Sequence, residues 1–177
     1  VRLFNISTVL EASLNMVPDG EAGPGYSGQL RSRNVLFNKK PLDDISARFV
    51  FKNQAVFIER LSWGNCVMSG TWEWARPHRF RLSAEFADVP LYDLVSLFMD
   101  VPRDVVEGAS AGKIRLSGND PDVKLQAEVF LTNGCIGDLE YRQLRLKGEG
   151  VFPKFRITDS FVSQADGLTF KVAGLLN

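Results

Sequence analysis

Gly108-Ala109-Ser110-Ala111-Gly112 fits G-x-S-x-G, a pattern that carries the nucleophilic serine of many hydrolases. That chemistry needs the serine on a sharp turn from a strand into a helix. It also needs backbone N–H groups as an oxyanion hole and a general base, normally histidine. The single histidine, His78, lies upstream in "RPHR", between Arg76 and Arg79. A helical pattern precedes the motif and the strand-like "KIRLSG" follows it, the reverse of the order required. We read the segment as a small-residue hinge, and the chain as not an enzyme.

The other chemistry-bearing patterns fare no better. "GPGYSG", Gly23 to Gly28, fits G-x-G-x-x-G, but "QLRSRNVLF" follows it where a dinucleotide site needs a helix. Cys66 and Cys135 stand far apart and neither belongs to a C-x-x-C pair. That spacing does not hold zinc; it permits a disulfide without requiring one, and two small buried hydrophobes fit as well. Asp43-Asp44 and the "NDPD" of Asp120 and Asp122 lack the alternate ligands and closing Glu of a calcium loop, so they read as polar turns. No cofactor or metal is expected. "NIS" at Asn5 has the form of a glycosylation acceptor.

Lys+Arg and Asp+Glu both number 21, so the basic excess that phosphate neutralisation needs is missing and nucleic acid is not an expected partner. The aromatics are mostly Phe, 13 residues against 3 Trp and 3 Tyr, which suits a dry apolar surface better than base stacking. No apolar run approaches the ~20 residues of a membrane helix.

Period-two alternation dominates. In "VKLQAEVFL", Val123, Leu125, Ala127, Val129 and Leu131 share one side, with Lys124, Gln126 and Glu128 on the other. "RFRLSAEF", "KIRLSG", "LRLKG", "KFRIT" and "LTFKVAG" repeat the pattern. It predicts strands near 2–16, 28–37, 45–52, 55–62, 66–75, 79–87, 112–118, 122–132, 142–150, 154–163 and 167–175. "PDGEAGPG" reads as a long mobile loop. "DVPLYDLVSLFMDVP" has Leu91, Leu94, Val95 and Phe98 at helical spacing, with Asp88 as cap, Pro90 in the first turn and Pro102 after the end. It predicts one short helix, about 89–100.

A repeat is also visible. Asn34 opens "NVLFNKKPLDDI" and Asn133 opens "NGCIGDLEYRQL", with Ile45 and Leu144 at the same offset. Each is followed by alternating strands and a glycine-framed strand, "GNCVMSG" from Gly64 and "GLTFKVAG" from Gly167. We read residues 1–177 as a single β-rich segment of a longer protein, with repeat copies at 28–75 and 112–175.

About ten strands of ~20 Å give a sheet face of roughly 1,000 Å², and a three-turn helix shadows only about 150 Å² of it. Apolar patches that large are unusual on soluble monomers. The sheet can pair with a second as a sandwich, close into a barrel, or curl into an open groove that holds an apolar ligand.

The C-terminal half, from "DVPLYDLVSLFMDVP" onward, resembles the AsmA-like/TamB-like proteins of bacterial envelopes. The order of its elements carries the likeness. A short helix leads into the strand Gly112–Gly118, a "NDPD" turn and a long alternating strand ending near Asn133. A strand with Tyr141, Leu144, Leu146 and Gly148 follows, and then "GLTFKVAG". The resemblance implies an all-β fold with one short helix, its curved, mainly antiparallel sheet forming a taco-like groove. It implies a periplasmic segment of a parent anchored in the inner membrane. The segment would offer acyl chains of phospholipid a hydrophobic groove in outer-membrane biogenesis, beside neighbouring segments of the same chain and an outer-membrane barrel partner. The groove-lining candidates are Phe80, Leu82, Phe86, Ile114, Leu116, Leu125, Val129, Leu131, Leu144, Leu146, Phe155, Ile157, Phe170 and Val172. The same residues would serve a sealed core equally well. The alternative function is a structural or interaction domain that docks partner segments and carries no lipid.

Overall fold

The structure is a computed structural model and describes residues 6–17, 25–37, 40–96, 100–119, 122–151 and 154–176. The described chain is nearly all-β, antiparallel and open, with one short α-helix. It divides into two compact units. Residues 1–84 and 117–121 form the first; residues 85–116 and 122–177 form the second.

The first unit holds β1 (Ile6–Val17), β2 (Gly25–Phe37), the two-residue β3 (Lys40–Pro41), β4 (Ile45–Lys52), β5 (Ala55–Trp63) and β6 (Cys66–Glu73). It also holds the first half of β7 (Arg79–Pro90). Hydrogen-bonded order follows the chain, β1-β2-β4-β5-β6, with β3 set off on β2. Short connections force this pattern, because a parallel crossover needs a dozen or more residues. The second unit takes up β7, then α1 (Leu91–Ser96) and a 3₁₀ turn at Arg103–Val105. It continues with β8 (Val106–Asn119), β9 (Asp122–Ile136), β10 (Leu139–Val151), β11 (Lys154–Ser163) and β12 (Thr169–Leu176), again in chain order. Neither set of strands closes into a barrel.

The two units share one register. Ser32 lies opposite Ile45, and Ile45 opposite Trp63; in the second unit Leu131 lies opposite Leu144, and Leu144 opposite Val162, each residue 99 positions on. The irregularities recur as well. Register slips between Arg48 and Phe49 on the β4–β5 pair, and between Arg145 and Gly148 on β10–β11. It slips again between Ile58 and Leu61 on β5–β6, and between Ile157 and Ser160 on β11–β12. Asn34 and Asn133 both take positive φ, 54° and 49°, a conformation asparagine tolerates better than most side chains. At the β10–β11 bulge Ser160 is buried. Its Oγ accepts from the Lys147 N–H at 2.8 Å, so the interrupted ladder leaves no orphan donor there.

Two expectations are corrected. "GASAG" is not a hinge: Gly108 to Gly112 lie inside β8, which begins at Val106. The helix starts later than expected. β7 runs on through Asp88, whose φ is +53°, to Pro90, so helical backbone starts only at Leu91. Phe98, Asn5, Asp120 and most of the "PDGEAGPG" loop lie outside the described residues. Gly25 to Gly28 of "GPGYSG" open β2, with no helix after them.

Candidate functional site

Pairing sorts the side chains of each unit onto two faces. In the second unit Leu125, Ala127, Val129 and Leu131 of β9 stand opposite Gly150, Gly148, Leu146 and Leu144 of β10. Leu144, Gly148 and Gly150 are opposite Val162, Ile157 and Phe155 of β11, and Val162 is opposite Phe170 of β12. One face is therefore apolar except for buried serines such as Ser160, which lies opposite Val172. The other is charged: Arg145 reaches Glu128 at 2.6 Å and Asp159 at 3.2 Å, Lys113 pairs with Glu85, and Gln126 donates to Glu149 at 3.3 Å. Partly exposed pairs of this kind add little stability, so their main effect is to keep that face in water.

The helix α1 seals one end of the apolar face. Leu91, one turn from Val95, joins Val106, Leu131, Tyr141, Leu144 and Val162 in a buried cluster. Leu131 is 3% exposed and Leu144 5%. Tyr141 closes this end by donating from its hydroxyl to the Glu107 carbonyl at 2.7 Å, and burial, with Cys135 beside it, pushes the phenol's pKa up. Away from the helix the same face is only half-buried, at Leu125, Phe155, Ile157, Ile114 and Leu116.

Glycine lets phenylalanine rings lie flat across neighbouring strands. A Cβ at Gly148 would sit 2.5 Å from the Phe155 ring, and one at Gly112 would sit 2.9 Å from that of Phe86. In the first unit Gly28 makes the same room for Phe49, its direct cross-strand partner. Ring over glycine thus fills the place of the missing side chain with apolar surface.

The first unit presents a second apolar face, whose residues on β1 to β6 are not among the expected groove residues. Leu14, Leu30, Phe49, Phe51, Ile58 and Trp72 fall on one side by register, with Arg31, Arg48 and Arg60 on the other. No helix occurs among its described residues, and Trp72 is 55% exposed. The alternation of Ile45, Ala47, Phe49 and Phe51 in "ISARFVFK" is the available signal.

The fourteen expected groove residues therefore divide. Leu131 and Leu144 are sealed under α1, and Val129, Leu146 and Val172 pack at the margin of that cluster. Phe86 is buried across Gly112. Leu125, Phe155, Ile157, Ile114 and Leu116 remain half-open, and Phe170 is 51% exposed at the start of β12. Phe80 and Leu82 belong to the first unit, half-buried and alternating with the exposed Arg79 and Arg81.

Ser110 is 1% exposed, and its Oγ donates to the Val89 carbonyl at 2.6 Å, tying β8 to β7. A hydroxyl so committed has no access to substrate. Cys66 and Cys135 are free thiols. Burial, with the Asp43 carboxylate second, raises the Cys66 pKa. Among the described residues no three of His, Cys, Asp and Glu gather as metal ligands, and no helix is long and apolar enough to cross a membrane.

No family model matches this chain. No curated protein and no solved structure matches it either.

Proposed function

We propose that the chain binds acyl chains of phospholipid along an apolar sheet face, as a segment of a lipid-transfer protein of the bacterial envelope. The observation that carries this reading is the uneven covering of the apolar faces. In the second unit α1 seals Leu131 and Leu144 while Leu125, Phe155 and Ile157 stay half-open. In the first unit Trp72 stands exposed on a face without a helix. Apolar surface held at the water boundary is costly, at ~25 cal/mol per Å², unless a ligand or partner covers it. An acyl chain suits it, because each methylene gains ~0.8 kcal/mol on burial and needs no polar partner. The charged face keeps the sheet in water. Transfer along such a face requires no bond chemistry.

The resemblance to AsmA-like/TamB-like proteins supports the setting: the periplasm, a parent anchored in the inner membrane, an outer-membrane barrel as partner and a role in outer-membrane biogenesis. All three tryptophans lie in the first unit, with Trp63 and Trp72 on its apolar face. Phospholipid brominated on its acyl chains should therefore quench their fluorescence, and lipid brominated only at the headgroup should not. Equal quenching by both, or by neither, contradicts acyl-chain contact.

A further inference from the structure

We infer that the charged face of the first unit binds a phosphomonoester, held between Arg31, Arg48 and Arg60. Register brings the three together. Arg31 of β2 lies opposite Ser46 of β4, and Arg48 of β4 lies between Gln29 of β2 and Arg60 of β5. The three arginines, with Gln29 and Ser46, line an open cleft of about 310 Å³. Like charges directly opposite one another on neighbouring strands repel, as Arg48 and Arg60 do. Among the described residues no ion pair relieves them. Glu11, opposite Arg31 on β1, and Glu59, beside Arg60 in the β5 irregularity, are exposed and form no ion pair with any of the three.

The second unit balances the corresponding place from within. By the shared register Ser46, Gln29 and Arg60 match Arg145, Glu128 and Asp159, each 99 positions further on. There Arg145 reaches Glu128 at 2.6 Å and Asp159 at 3.2 Å. In the first unit glutamine stands for one acid and arginine for the other. The cleft thus holds three cations and neither carboxylate, and an anion from outside the chain restores the balance. A phosphomonoester suits it. Near neutral pH it carries about 1.5 to 2 negative charges on three acceptor oxygens, so each guanidinium fork can take one. A carboxylate offers a single charge on two oxygens. The cleft lies across the sheet from Trp72, so this inference does not rest on acyl-chain binding, and bromine quenching tests that reading separately. Two sources offer the same chemistry: a soluble phosphate and the headgroup of phosphatidic acid at a bilayer surface.

The test uses the full chain. Phosphorus NMR follows inorganic phosphate titrated with protein, and flotation follows the chain on phosphatidylcholine vesicles with and without phosphatidic acid. Inorganic phosphate should bind at millimolar concentration, and acetate should displace it only at roughly tenfold higher concentration. Gln29→Glu with Arg60→Asp installs the two carboxylates of the second unit. It should weaken phosphate binding about tenfold or more and, by removing the repulsion at Arg48, raise the Tm slightly. Arg60→Gln, which adds no negative charge, should weaken binding severalfold. Arg156→Gln, an exposed arginine opposite Glu149 in the second unit, should leave it unchanged. Flotation that needs phosphatidic acid and is lost in Gln29→Glu/Arg60→Asp makes the headgroup the source. Phosphate binding without such flotation makes it a soluble phosphate. Binding of neither probe overturns the inference, as does binding that survives Gln29→Glu/Arg60→Asp, or acetate that competes as well as phosphate.

Discussion

Leu144→Ala and Leu125→Ala remove the same atoms from the same apolar face, yet their costs should differ severalfold. Leu144 is 5% exposed and touches the cluster of Leu91, Val106, Leu131, Tyr141 and Val162. Truncation there forfeits about 2–2.5 kcal/mol of transfer free energy for three carbons, plus a cavity term that brings the total to about 3–4 kcal/mol. α1 has only six residues and can settle part-way into the gap, which favours the lower figure. Leu125 is half-buried, beyond the sealed cluster. Its loss exposes little new surface and leaves no enclosed cavity, so about 1 kcal/mol is expected. The assay is urea unfolding followed by far-UV circular dichroism. Tryptophan fluorescence serves as a separate reporter of the first unit, where all three tryptophans lie. The dichroism midpoint should fall strongly for Leu144→Ala and weakly for Leu125→Ala. Equal costs, within ~0.5 kcal/mol, would refute the reasoning, because they would mean that the face is covered along its whole length as a closed core.

Two further outcomes follow from single contacts. Gly148→Ala should cost about 1–3 kcal/mol in the same assay, although alanine normally suits a strand better than glycine, because its Cβ would meet the Phe155 ring and the Arg156 carbonyl oxygen at 2.6 Å. A neutral result would show that the ring does not lie across the strand. Tyr141→Phe should lose about 1 kcal/mol at neutral pH with the bond to Glu107. It should also flatten the alkaline limb. The folded phenol ionises above its ordinary value of 10.0, so above that pH the unfolded chain has released a proton that the folded chain retains, and wild-type stability falls as pH rises. Below pH 10.0 that contribution is complete. An unchanged limb in the variant would place the titration elsewhere.

Alternation made most of the fold readable before the structure. Lys124, Gln126 and Glu128 between Leu125, Ala127 and Val129 dictate a strand with one wet and one dry face, and β9 is that strand. Asn34 and Asn133 could be matched at 99 residues, but the identical bulges could not, because a bulge is a property of paired backbones. The glycines misled. Gly108 and Gly112 look like hinge residues in the sequence, yet they serve close packing inside β8. Gly112 admits the Phe86 ring, and a Cβ at Gly108 would sit 2.6 Å from the Tyr141 hydroxyl. Sequence spacing shows that a glycine is present and not which neighbour needs the room. The helix start was misplaced for a related reason: Asp88 and Pro90 are helix-start residues, but strand pairing carries β7 through both. The face of the first unit is harder to read from the sequence, because the bulge between Ile58 and Leu61 shifts side-chain parity within β5, so a period of two does not follow one face along that strand.

Photo-crosslinking from Leu125, with Lys124 as control on the same strand, tests the acyl-chain site most directly. Leu131 would be the wrong probe, since α1 seals it. A crosslinkable residue at Leu125 should capture phospholipid through its acyl chain in living bacterial envelopes, and one at Lys124 should not. Equal capture at both positions, or none at Leu125, would contradict the account.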